Sequence, residues 1–211
     1  MSPKIYCIVT TSLIQEKYTI REQQYRHAIS RLLVKCKDIN IKIILVENNN
    51  LTSSFLDEFG LDVFYTKNNI AYDTTNYGIK EAHDVLDCIK HYGIDDDDYV
   101  IKMTGRYFLS DHSPFFDEIF KLETTQYEAI IKYGWWEPSP RTKHENCITG
   151  LICMKAKYIK NIDISNDTSI CLEILWAKVT IPIPDDKVCI LNTLGINISP
   201  KCYNNDTFME V

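Results

Sequence analysis

The stretch Tyr99-Val-Ile-Lys-Met-Thr-Gly-Arg-Tyr-Phe-Leu109 constrains the fold more than any other part of the chain. Tyr99 to Met103 is a short apolar run, and Thr104-Gly105-Arg106 breaks it with small and polar residues. A run of that length closed by turn chemistry is the pattern of a central strand covered on both faces. In open α/β sheets, ligands bind just past the carboxyl ends of such strands. A glycine there lets a backbone come close, and the Arg106 guanidinium offers a planar fork of donors for phosphate oxygens. A strand end with a solvated arginine is the plainer reading of the same residues.

The preceding residues repeat the pattern. Lys4 to Thr10 reads as a strand that ends in Thr10-Thr11-Ser12. Arg21 to Cys36 reads as a helix, with Tyr25, Ala28, Ile29, Leu32 and Cys36 at helical spacing. Lys42 to Val46 is continuous and β-branched, and runs into Glu47-Asn48-Asn49-Asn50. Thr52 or Ser53 then caps a short helix carrying Phe55, Leu56 and Phe59. Asp62 to Tyr65 is a third strand. Gly78 to Tyr92 is a second long helix, with Ile79, Ala82, Leu86 and Ile89 on one face and Gly93 as its stop. Strands alternating with helices predict a parallel sheet with right-handed crossovers, of the nucleotide-binding, Rossmann type.

Beyond Arg106 the pattern loosens. Ser113-Pro114 opens a short helix. Tyr127 to Lys132 and Cys147 to Met154 read as strands, and Asp167 or Thr168 caps a helix from Ser169 to Lys178. The loop from Tyr133 to Pro140 is too stiff and aromatic for a linker. No repeat or linker divides the chain. The expectation is one α/β domain with a mostly parallel central sheet flanked by helices. Residues 1–109 would be the nucleotide-binding half and 110–211 the acceptor and catalytic half. The sequence suits a whole protein or one domain of a longer polypeptide.

A net charge of −6 over 211 residues argues against a nucleic acid partner. No apolar run reaches membrane length, so no membrane insertion is expected. Ile5 to Val9 is too short for a signal-peptide core. The eight cysteines include no C-x-x-C pair and mostly sit in apolar patterns, as reduced thiols of a cytoplasmic protein do.

Three strand ends fall on one edge of such a sheet: Thr10-Thr11, Glu47-Asn48 and Thr104-Gly105-Arg106. The loop Asp73-Thr-Thr-Asn-Tyr-Gly78 joins them and abuts a helix N-terminus, where free amides favour an anion. Together they suit a nucleotide, with Glu47 or Asn48 for base or ribose, Asp73 and Asn76 for sugar hydroxyls, and Arg106 for phosphate. Each alone is equally a turn or cap residue. Asp95 to Asp98 is dense in hard oxygen ligands, but it precedes its strand and falls on the opposite edge, so it reads as a solvated turn.

The order strand, helix, strand ending in Glu47-Asn48, helix, strand, loop with Asn76-Tyr77-Gly78, helix, then Asp98-Tyr-Val-Ile-Lys-Met-Thr-Gly-Arg-Tyr107 resembles glycosyltransferases of the GT-A fold. More narrowly, it resembles the small capsid-glycan glycosyltransferase domains encoded by large DNA viruses of algae. The resemblance covers nearly the whole chain, most clearly residues 4–109. It implies transfer of a sugar from a UDP-sugar donor to a glycan or glycoprotein acceptor, in the host cytoplasm if the protein is viral. In that fold the central strand ends in an Asp-x-Asp motif that holds a divalent metal on the donor diphosphate. Thr104-Gly105-Arg106 stands there instead. Either Arg106 neutralises part of the diphosphate, or Mn²⁺ or Mg²⁺ is held mostly by phosphate oxygens and water; the expectation is that a divalent metal takes part, held largely by the donor diphosphate.

Inverting transfer needs a carboxylate to take the acceptor hydroxyl's proton. The resemblance places it near the start of a late helix, where Glu173 lies off the stripe of Ile170, Ile174 and Ala177. Asp111 is the alternative base. Tyr133, Trp135 and Trp136 offer flat faces to an acceptor sugar, although tryptophan is also a common core residue. Two other readings compete. A sugar-nucleotide nucleotidyltransferase would want a glycine-rich, lysine-bearing loop after the first strand, which is missing. A non-catalytic glycan-binding module would use the Trp135-Trp136 loop.

Overall fold

In the computed structural model, which describes residues 2–72, 74–134, 146–164, 171–198 and 209–211, the apolar runs of the first half form four parallel strands. These are β1 (Ile5–Thr11), β2 (Ile41–Glu47), β3 (Asp62–Tyr65) and β4 (Tyr99–Thr104). They lie in the order β3-β2-β1-β4, with Ile8 in register with Ile44 on one side and Lys102 on the other. β1 and β4 are buried almost throughout, which is why their sequences do not alternate.

Helices cover both faces. The described helices are α1 (Tyr18–Cys36), α2 (Asn68–Ala71), α3 (Tyr77–His91), α4 (Pro114–Ile119), α5 (Ala156–Ile159) and α6 (Leu172–Val179). Cys7 and Val9 of β1 pack with Tyr25, Ile29 and Leu32 of α1 and with Phe115 and Phe116 of α4. Tyr6 and Ile8 point the other way, into a core with Ile79, Val85 and Ile89 of α3 and Leu175 and Trp176 of α6.

The second half adds β5 (Phe108–Leu109), β6 (Ala129–Ile131), β7 (Leu151–Lys155), β8 (Val188–Ile190), β9 (Ile196–Ile198) and β10 (Met209–Glu210). The main sheet continues as β4-β7-β6-β8, with β7 antiparallel to both neighbours. A small antiparallel sheet, β10-β9-β5, lies beside it.

Several local expectations are corrected. The cap of the short helix is Ser54, not Thr52 or Ser53, because only Ser54 has an acid in the right place: its N–H donates to Asp57 Oδ2 at 2.8 Å. That helix is a 3₁₀ turn, Phe55–Phe59, closed by Gly60 at φ 66°. The ladder of β7 starts at Leu151. Cys147 and Ile148 are buried but make only an isolated bridge, Tyr133 to Cys147, before the chain turns at Thr149-Gly150. In α6, Leu172, Leu175, Trp176 and Ala177 are buried and Ile174 is half-buried, while Asp167, Thr168 and Ile170 lie outside the described residues. In the acidic run, Asp98 is a buried structural group: its carboxylate accepts from the backbone N–H of Lys4 at 2.8 Å and of Asp95 at 3.2 Å. Asp96 and Asp97 pair with Lys160 and Lys155.

The described cysteines are all free, and Cys7, Cys36, Cys88, Cys147 and Cys153 are buried. Among the described residues, no helix is long and apolar enough to cross a membrane.

Candidate active site

A lysine inside a covered strand needs a partner. Lys102 of β4 is fully buried, and its ammonium donates to Thr149 O at 2.5 Å and Thr104 Oγ1 at 2.9 Å. It pairs at 2.9 Å with Glu81 Oε1 of α3, which also accepts from the hydroxyls of Thr10 and Thr104. Burial by itself would raise the Glu81 carboxyl. Lys102 and the two hydroxyls outweigh it and hold the group below its ordinary value. This knot ties the ends of β1 and β4 to α3, at the base of a cleft of about 1130 Å³ lined by all three elements.

The end of β2 is fixed in the same way. Glu47 is fully buried and accepts from Thr11 Oγ1 at 2.8 Å, the Leu13 N–H at 3.0 Å and Asn49 Nδ2 at 2.6 Å. It shapes the turns after β1 and β2 and does not reach the cleft. Asn48 does, while its amide donates to Asp84 Oδ2 at 2.7 Å. Asp84 also accepts from Asn68 at 2.9 Å and Thr66 at 3.0 Å. Burial pushes its carboxyl up to about 7 against the pull of those three donors.

The turn after β4 packs tightly on β1. The Gly105 N–H donates to Thr10 O at 2.9 Å, and a Cβ on Gly105 would lie 2.9 Å from that oxygen and 3.1 Å from the Tyr25 ring. Gly105 therefore sits behind the wall and lets Arg106 line the cleft. The Arg106 guanidinium lies 5.4 Å from the centre of the Tyr107 ring and makes no hydrogen bond or ion pair among the described residues. Arg21, from α1, donates to Ser12 O at 2.9 Å and to the Tyr25 hydroxyl at 3.1 Å. Lys80, on the opposite wall, donates to Asn69 O at 2.6 Å.

Two helix starts complete the site. Asn76 caps α3, its side-chain oxygen accepting the Gly78 N–H at 3.0 Å. A Cβ on Gly78 would lie 2.6 Å from Leu172 Cβ, so only a glycine lets the start of α6 sit this close to the start of α3. That contact brings Glu173, in the first turn of α6, to the cleft. Glu173 Oε2 accepts from the Cys171 thiol at 2.6 Å.

Of the residues singled out from sequence, Thr10, Thr11, Asn48, Asn76, Thr104, Arg106 and Glu173 line this one cleft. Asp111 lies elsewhere, on a shallow groove of about 420 Å³ with Phe108 and Asn197, where it pairs with Arg31 at 2.5 Å. Tyr133 is buried, with its hydroxyl 2.5 Å from Thr180 Oγ1, so its ring belongs to the core and not to an acceptor surface. Asp73, Trp135 and Trp136 lie outside the described residues. Sequence reasoning missed Arg21, Lys80, Glu81 and Lys102. Only Lys102 carried a signal, a charge inside an apolar strand.

A divalent metal held by protein carboxylates does not fit the described donor set. The end of β4 supplies a hydroxyl and a guanidinium. Among the cleft's described carboxylates, Glu81 is taken by Lys102 and Asp84 is fully buried on three donors, which leaves Glu173. No group of three or more His, Cys, Asp or Glu among the described residues could hold an ion. The cleft is instead lined by four cations, Lys17, Arg21, Lys80 and Arg106, on a chain of net charge −6.

The sequence matches no family model and no curated protein. The fold does match solved structures. A Bacillus anthracis protein assigned as a glucose-1-phosphate thymidylyltransferase, in complex with a sucrose, aligns with TM-score 0.56 at 12% identity, over 90% of this chain and 86% of its own. The inositol-1-phosphate CTP transferase from T. maritima aligns at 0.53 and 10% identity, over 90% and 86%. A glycosyltransferase involved in glycosylation of the major capsid of PBCV-1 aligns at 0.51 and 8% identity, over 89% and 81%. At such identities the likeness speaks of the fold alone: the chain has a GT-A-like α/β fold, a fold seen in both glycosyltransferases and nucleotidyltransferases.

Proposed function

We propose that the protein is an inverting glycosyltransferase that moves a hexosyl group from a UDP-sugar to a glycan hydroxyl, on a free glycan or a glycoprotein. One observation carries the reading: a cation-lined cleft at the carboxyl ends of β1, β2 and β4, on an otherwise acidic chain. The donor diphosphate lies against Arg106, with the nucleoside towards Asn48. Glu173 takes the proton of the acceptor hydroxyl as its oxygen attacks the anomeric carbon. The bond from that carbon to the diphosphate oxygen breaks, and UDP leaves with the electron pair. Attack from the face opposite UDP inverts the anomeric centre.

A thermal-shift panel of nucleoside diphosphates and UDP-sugars tests donor binding, since a ligand that binds only the folded chain raises the melting temperature. UDP and at least one UDP-sugar are expected to raise it. No shift with any nucleoside diphosphate overturns the reading.

Sugar-phosphate nucleotidyl transfer is the second reading, favoured by two of the three structural likenesses above. Against it, the segment after β1 has no glycine to cradle a triphosphate, and the first glycine in the chain is Gly60. Pyrophosphate release from a nucleoside triphosphate and a sugar 1-phosphate would establish this second reading.

A further inference from the structure

Two of the four described arginines are ion-paired on the surface. Arg26 pairs with Glu22 at 2.8 Å and Glu58 at 2.9 Å, and Arg31 pairs with Asp111 at 2.5 Å. The other two, Arg21 and Arg106, are half-buried, line the same cleft, and have no carboxylate partner among the described residues. Both bear on one buried group: Arg21 donates to the Tyr25 hydroxyl at 3.1 Å, and the Arg106 charge also acts on that hydroxyl. Like charges brought together in a half-buried site repel unless an anion joins them.

We propose that Arg21 and Arg106 form a two-guanidinium clamp that holds the donor diphosphate without a divalent metal. The clamp rests on the donor reading above and goes beyond it, because it assigns the charge neutralisation to this chain's own side chains. A guanidinium presents parallel N–H groups that match two phosphate oxygens. Arg21 is steadied by Ser12 O and Tyr25, and Arg106 is held at the end of β4 by the close packing of Gly105 on Thr10. A dication in the same place would meet two guanidiniums, with Glu173 as the described cleft carboxylate not already committed to a buried hydrogen-bond network.

Titration calorimetry with UDP, once in EDTA and once in MnCl₂, tests the clamp. The dissociation constant is expected to agree between the two within about threefold, with R106A weakening UDP by roughly tenfold to a hundredfold in both, the usual worth of a charge-assisted hydrogen bond. R21A is expected to act in the same direction, and R26A, whose ion pairs lie outside the cleft, to change nothing. Arg106 makes no bond to the described fold, so R106A carries the test if R21A fails to fold. UDP binding that needs Mn²⁺, or that survives R106A unchanged in EDTA, overturns the clamp and leaves the donor reading standing. No UDP binding in either buffer overturns both.

Discussion

Glu173 and Asp84 are both carboxylates on the cleft, and their surroundings assign them different work. Glu173 sits in the first turn of α6, half-buried, and the Cys171 thiol is the side-chain donor it has among the described residues. E173Q keeps the shape and removes the proposed base. It is expected to lower kcat by roughly a hundredfold or more and to leave UDP affinity near that of the wild type. Full turnover in E173Q would show that the base lies elsewhere. Asp84 is fully buried, and its carboxyl is lifted to about 7 from a usual 3.8. The folded chain therefore keeps a proton that the unfolded chain releases once the pH passes about 4. Its stabilising contribution is full below that pH and is lost as the pH rises towards 7. Melting temperatures measured from pH 5 to 8 are expected to fall less steeply in D84N than in the wild type. Equal slopes would place Asp84 outside this linkage.

Elements place these residues, and glycines set how closely the elements approach. Gly78 at the start of α3 lies against Leu172 at the start of α6. G78A forces the two helix starts apart, because the added carbon would meet a Cβ and not the end of a flexible chain. The expected result is a loss of about 1–3 kcal/mol in denaturant unfolding, the usual cost of overpacking, and a lower kcat as Glu173 is displaced. Unchanged stability and kcat would mean that α6 adjusts freely. The first half was readable from sequence to within a few residues because β1, β4 and most of β2 are buried on both faces, so burial and sequence pattern coincide. The second half was less readable. Cys147 and Ile148 are as apolar as strand residues yet are buried by packing outside any ladder. Glu47 shows the limit at a site: a polar residue at a strand end serves a ligand or its own turns, and only the N–H groups of Leu13 and Asn49 around it reveal which. The sequence pattern makes Arg21 the first residue of a helix, which in the structure begins at Tyr18. Its importance comes from Ser12 and Tyr25, which lie beside it only once α1 has folded back on β1.

At the scale of the whole molecule, a net charge of −6 surrounds a cleft lined by four cations. Raising NaCl from about 50 to 500 mM is expected to weaken UDP severalfold, because salt shortens the reach of those charges. Affinity independent of salt would mean that base and ribose contacts dominate. The reversal of β7 has a consequence of its own. Since β7 runs against β4, the rim receives the residues that enter this strand, Ile148, Thr149 and Gly150, whereas β1, β2 and β4 offer those that leave them. Insertions or deletions just upstream of Leu151 would thus remodel one bank of the crevice while the other keeps its shape. In such an architecture, descendants can diverge in what they modify and still share what they consume.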